Sequence, residues 1–275
     1  VDSSNHWYGH AHVLAGYCGL DESAPPPIAG VLQHGWTFVH GFGYGHKPPL
    51  GYTRFAWSDV CRRRGQAIGW REYYVIGAPF AYLMQTEPPD ADAPEPEGTI
   101  WYPFHGTADY ESVSGDHQRL VDEIRATETG PVTMCLYYVE YEQPEIRRFY
   151  EDAGFRVICH GQRGTKWQGQ TDNFLHTQLR ELRRHKRVAS NRLSTAIFYG
   201  LACGLEGGVY GDPMDYVGVK DGFNGQTLIE HTFPELHRVT IDTTTGVESA
   251  RRELGLDRLL DPAELALILG WKRNG

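Results

Sequence analysis

The sequence predicts an α/β protein of two halves, each with a parallel sheet, and three observations carry that expectation. Strand-sized apolar runs alternate with segments of helical apolar spacing along most of the 275 residues. Glycine and proline punctuate nearly every change of period. One stretch, TEPPDADAPEPEG at 86–98, has four prolines and five acidic residues and reads as a solvated linker. It separates a smaller N-terminal half, 1–88, from a C-terminal half, 98–275.

In the first half, HWYGHAHVLAGYCGL reads as a helix with an apolar face, on which His6 and His10 stand one turn apart. Gly30–Gln33 and Tyr52–Trp57 read as strands, Asp59–Ile68 as a helix closed by Gly69, and Tyr73–Ile76 as another strand. The second half opens with the strand Ile100–Phe104 and a helix whose apolar positions are Tyr110, Val113, Leu120, Val121 and Ile124. Gly130-Pro131 ends that helix. Val132–Val139 reads as a buried strand, Pro144 opens a helix that Gly154 closes, and Phe155–Cys159 is the next strand. A helix over 172–184, a strand Arg187–Ala189, a helix over 192–202 capped by Asn191, and a strand Gly207–Tyr210 follow. Helices over 246–254 and 262–269 complete the pattern. Open parallel sheets bind ligands at the carboxyl ends of their strands, so functional residues are expected just beyond them.

Composition narrows the partners. Twenty-six basic against 35 acidic residues give a formal charge of −9, which argues against a nucleic-acid-binding body. Five scattered cysteines without a CxxC spacing suggest neither a disulfide framework nor a zinc site, and a cytoplasmic location is expected. No apolar run approaches the ~20 residues of a spanning helix. Nothing in the sequence speaks to oligomeric state.

Four of the thirteen histidines precede glycine: His34, His40, His105 and His160. Three of them, His34, His105 and His160, come at predicted strand ends, where a glycine lets a ligand approach the backbone and an imidazole offers a hydrogen bond or charge. The segment Ser190-Asn191-Arg192-Leu193-Ser194-Thr195, between a strand and a helix, collects hydroxyls and free amides at a helix N-terminus, an arrangement suited to an anion or to ordinary capping. Arg180, Arg183, Arg184, Lys186 and Arg187 form a basic cluster that reads as a solvated helix end or as a contact for an anionic glycan. His6, His10 and His12 lack the further ligands a metal site needs, and no metal or cofactor is expected.

YPFHGT at 102–107, ICHG at 158–161, SNRLSTAIFYGLACG at 190–204 and GGVYGD at 207–212 together resemble GT-B glycosyltransferases. The resemblance is to bacterial sialyl-, polysialyl- and Kdo-transferases, with a fainter one to CDP-glycerol-type polymerases. It implies two Rossmann-like halves facing a cleft and a metal-independent transfer of sugar from a nucleotide-activated donor, CMP-sugar-like, to a glycan or small-molecule acceptor. It makes His160, Gly161, Ser190, Asn191, Ser194 and Thr195 the donor-phosphate site, with His105, Gly106 and Thr107 lining the first loop of that half. Arg163 and Lys166, in the loop after His160, fall on the donor side. The sequence departs from the sialyltransferase pattern at Gly161, where those enzymes have proline, and lacks their acidic base motif. By position His34 is the first choice of general base and Glu140 the second. A UDP-sugar 2-epimerase-type enzyme and a non-catalytic nucleotide- or sugar-binding module are the alternatives.

Overall fold

The alternation of apolar runs with helical spacing is realised as short parallel strands joined by helices. The computed structural model describes residues 2–42, 51–106, 113–162, 173–217 and 225–271. After a 3-10 turn at Ser3–Gly9 come α1 (His10–Tyr17), β1 (Gly30–Leu32), β2 (Thr53–Ala56), α2 (Asp59–Ala67), β3 (Tyr73–Val75) and α3 (Pro79–Thr86). Next are β4 (Thr99–Tyr102), β5 (Val113–Ser114), α4 (His117–Thr127), β6 (Val132–Cys135), α5 (Tyr138–Tyr141), α6 (Pro144–Asp152) and β7 (Arg156–Ile158). The chain continues through α7 (Phe174–Arg183), β8 (Arg187–Ser190), α8 (Thr195–Ala202), β9 (Glu206–Val209) and β10 (Asp215–Tyr216). The last helices are α9 (Gln226–Thr232), α10 (Thr243–Leu254) and α11 (Pro262–Ile268). None of the described helices is long and apolar enough to cross a membrane.

Two compact units result. Unit 1 takes the described residues of Val1–Asp90, Gln162–Thr177 and Ser249–Gly275; unit 2 takes those of Ala91–Gly161 and Gln178–Glu248. The sequence placed everything from 98 to 275 in one half, whereas the described residues 249–271 pack with the first. Its attachments explain the difference: Ala78 N–H bonds Leu254 O at 2.9 Å, Ala29 N–H bonds Leu269 O at 2.9 Å, and the Trp271 indole donates to Pro26 O at 3.0 Å. The Glu253 carboxylate, 1% exposed, accepts two bonds from Arg64, at 2.8 and 3.1 Å, and one from the Trp36 indole at 2.9 Å. Such hydrogen bonding is what lets a buried charge persist.

Unit 1 holds a parallel sheet of order β1-β2-β3. Unit 2 holds a five-stranded sheet of order β7-β6-β4-β8-β9, every pairing parallel, so that β4 and β8 meet where the strand order reverses. Its core joins Trp101, Met134 and Ala189 of the strands to Leu120, Val121 and Ile124 of α4 and Tyr150 of α6. The helical spacing at 120, 121 and 124 is what brings that face onto the sheet.

Element boundaries differ from the sequence-based ones at several places for physical reasons. The strand expected to run to Val139 stops at Cys135 because its neighbours' pairing ends there, at Trp101↔Met134 and Ile158↔Cys135. The helix expected from Tyr110 begins at His117 behind the Asp116 cap, and Val113 instead pairs in an antiparallel ladder with Tyr216. At the chain start, Tyr8 has φ +58° and breaks the expected single helix, so His6 pairs with His12 (Nδ1 to Nε2, 3.0 Å) and not with His10.

Candidate functional site at the carboxyl edge of the five-stranded sheet

A reversal of strand order leaves a gap between the loops that follow the two strands, here β4 and β8. The β4 loop, Phe104-His105-Gly106, is gripped from both sides. On the β8 side, the Asn191 amide oxygen accepts from Phe104 N–H at 2.7 Å while its amide nitrogen donates to Asp212 O at 2.7 Å. On the β6 side, the carboxyl of Glu140 is held by backbone hydrogen bonds at Gly106 and at Glu140 itself. Burial outweighs those bonds and raises the Glu140 pKa from its ordinary value; its Oε2 is buried without a hydrogen-bond partner among the described residues. A carboxyl whose pKa is raised by burial therefore sits beside a glycine loop at a switch point.

The His105 ring stacks on Tyr137, centroids 4.0 Å apart at 16°, and its Nδ1–H donates to Gly106 O at 2.9 Å. This fixes the imidazole plane and tautomer while leaving the side chain half-buried. Across the gap, Ser194 is the N-cap of α8, makes no side-chain capping bond, and has a buried Oγ without a hydrogen-bond partner among the described residues. Thr195, the first helical residue, is half-buried beside it. The first-turn amides and this hydroxyl form the positive end of the helix dipole.

Several expected roles change. Asn191 was expected to cap the helix and line the phosphate site; it is 2% exposed and spends both ends of its amide on Phe104 and Asp212, so the cap falls to Ser194 and the helix starts three residues later than expected. Ser190, also 2% exposed, accepts from Arg192 N–H at 3.2 Å and so shapes the turn. His160 is buried, its Nε2 is 2.9 Å from the Tyr102 hydroxyl, and desolvation pulls its pKa down to about 4, so it is neutral near pH 7 and brings no charge to a phosphate. Gly161 takes φ +101° and directs its N–H to Cys159 Sγ at 3.2 Å. Thr107, Arg163 and Lys166 lie outside the described residues.

His34 belongs to unit 1, two residues beyond β1, where its ring meets Trp7 edge-to-face at 4.5 Å. His10 is fully enclosed and its pKa falls to about 3 by desolvation, against an opposing backbone bond at Gln33. The basic cluster is partly internal: Arg187 pairs with the buried Glu128 at 3.0 Å, and Arg184 comes to 3.8 Å of Glu181. Sequence reasoning missed Tyr102, Tyr137 and Arg192. Arg192 lies 3.8 Å over the Phe104 ring, donates from Nε to Pro213 O at 2.7 Å and pairs with Asp215 at 2.8 Å, which fastens the segment after β9 to the β4 loop. Read as the first residue of a helix capped by Asn191, it gave no signal of that role.

No protein-family model and no curated protein matches the chain. Among solved structures, it is similar to UDP-GlcNAc 2-epimerase from Neisseria meningitidis bound to UDP-GlcNAc, at 10% identity and a TM-score of 0.34, over 78% of this chain and 60% of that one. It is also similar to the wall teichoic acid polymerase TagF, at 9% identity and a TM-score of 0.35, over 89% of this chain and 64% of that one. The chain thus spans less than two thirds of the length of either.

Proposed function

We propose that the chain is a GT-B-type glycosyltransferase that binds a nucleotide-activated sugar, CMP-linked by preference, at the carboxyl edge of the five-stranded sheet and passes the sugar to a glycan or small-molecule acceptor without a metal. The observation that carries this reading is the convergence on the β4 loop of the Glu140 carboxyl, bonded to the backbone at Gly106, and, across the gap, of Ser194 at the start of α8. Transfer requires those two functions. The acceptor hydroxyl forms a bond to the anomeric carbon as the bond from that carbon to the donor phosphate oxygen breaks. The phosphate leaves with the electron pair and the hydroxyl proton passes to a base.

In this reading Ser194, Thr195 and the first-turn amides of α8 receive the phosphate charge, His105 and Gly106 border the donor, and Glu140 takes the proton. Glu140 is preferred over His34 because it borders the β4 loop, bonded to the backbone at Gly106, and shares a unit with the donor residues. Thermal-shift titration with CMP, CDP, UDP, GDP and TDP tests the reading, since a ligand of the native state raises its apparent stability. A CMP shift abolished by Ser194→Ala with Thr195→Ala supports it. A shift with UDP alone moves the chain toward epimerase-type chemistry, and no shift with any nucleotide removes the proposal.

A further inference from the structure

A second concavity lies entirely within unit 1, against the edge strand β3, with a volume of about 430 Å³. That is within the ~300–1,000 Å³ of small-molecule sites. The register decides which backbone groups face it. Arg54 N–H bonds Glu72 O and Ile76 N–H bonds Ala56 O, so the main chain of alternate residues turns toward β2, and that of Tyr73 and Val75 turns to the open edge.

The charges in the wall cancel. Asp59 accepts from Arg62 through Nε at 3.1 Å and Nη2 at 2.9 Å, and pairs through its other oxygen with Arg258 Nη2 at 2.6 Å. Asp257 adds a second carboxylate, so two acids face two guanidiniums. An anion would have to draw an arginine away from Asp59, and a cation would meet both arginines. A neutral ligand has neither difficulty.

The remaining groups are those a sugar ring uses. The Tyr74 ring is 40% exposed and lines the groove, with Val75, Leu259 and Leu260 as apolar lining for the C–H face of a pyranose. Asp257 is exposed and its carboxylate has no hydrogen-bond partner among the described residues, and Arg258 keeps donors beyond the one given to Asp59. An acceptor and a donor on adjacent residues, next to an aromatic face, match the vicinal hydroxyls and apolar face of a saccharide.

We infer that this groove is a binding site for a neutral saccharide ring. That it would hold part of the acceptor rests on the glycosyl-transfer reading; the binding itself does not. The test is NMR titration of the whole chain, without nucleotide, with cellobiose, lactose and N,N′-diacetylchitobiose, and with glucuronate as the anionic control. At least one neutral disaccharide should bind. Tyr74→Ala should weaken it about three- to tenfold, Tyr74→Phe should preserve it, and Asp257→Asn should weaken it severalfold. Tyr74 and Asp257 are exposed, so the variants should fold. Absence of binding by all three disaccharides, preference for glucuronate, or an affinity untouched by Tyr74→Ala overturns the inference. Saccharide binding without any nucleotide shift leaves it standing and removes the transfer reading instead.

Discussion

Asn191→Ala is the substitution whose effect the structure specifies most closely. The side chain is 2% exposed and makes two bonds of 2.7 Å, accepting from Phe104 N–H and donating to Asp212 O. Alanine removes both and cannot replace either. An orphaned buried polar group costs about 1–3 kcal/mol, and because both backbone partners are only partly buried the lower part of that range applies to each, giving about 2–4 kcal/mol in total. Asn191→Asp keeps the acceptor and loses the donor, and should cost less than alanine if the Phe104 bond survives. Urea unfolding followed by circular dichroism and tryptophan fluorescence measures both. The expected order of stability is wild type, then Asp, then Ala, with nucleotide affinity falling in the same order because the β4 loop loses its tether. An Asn191→Ala protein within about 0.5 kcal/mol of wild type would refute the tether and return Asn191 to an ordinary capping role.

Acid sensitivity should trace to two enclosed imidazoles. His10 and His160 titrate at about 3 and about 4 in the folded chain against an ordinary 6.5, so their neutral forms support the fold above pH 6.5 and that support is lost as pH falls toward 4 and then 3. At pH 5 each should subtract about 2 kcal/mol through protonation of the unfolded chain, and His10→Gln or His160→Gln should flatten the stability profile between pH 7 and 5. Glu140 has the opposite sign: its raised pKa favours the protonated fold, so its contribution is present at low pH and is lost as pH rises. Glu140→Gln should therefore gain on wild type in thermal melts as pH rises above the ordinary carboxylate value, while lowering kcat by roughly 10²–10⁴ once a substrate pair is found. Glu253→Ala should destabilise by about 1–3 kcal/mol in chemical denaturation, because Arg64 loses two hydrogen bonds while keeping the one to Phe38 O, and the Trp36 indole loses its bond to the carboxylate. Gly255→Ala should also unfold at lower denaturant, since a Cβ there would meet Trp57 O at 1.9 Å in a backbone already at φ +65°.

Periodicity and punctuation revealed the elements that pack locally. Leu120, Val121 and Ile124 share one helix face in the sequence and one core in the structure, and Pro144 and Gly154 bracket α6 closely as read. The alternation also led correctly to parallel sheets. Features that depend on distant residues were not readable. Leu136-Tyr137-Tyr138-Val139 is as apolar as the strand before it, and only the end of pairing on β4 and β7 turns it into the short helix that carries Glu140. Asn191 has the composition of a cap, and its use as a tether follows from where Phe104 and Asp212 happen to lie. The histidine at 160 looks like a ligand by position, yet burial under Tyr102 decides its charge.

The return of residues 249–271 to unit 1 also sets an order of events in synthesis. Leu254, Leu265, Leu269 and Trp271 are buried there, and Glu253 is the partner of Arg64 and Trp36, yet all are made after the whole of unit 2. The N-terminal part of unit 1 therefore leaves the ribosome with an incomplete core and without the Glu253 carboxylate that Arg64 and Trp36 bond, while unit 2, lying in two pieces between the segments of unit 1, can close its sheet earlier. Unit 1 must wait for the far end of the chain, which makes it the slower to mature and the one whose half-made surface a chaperone would meet.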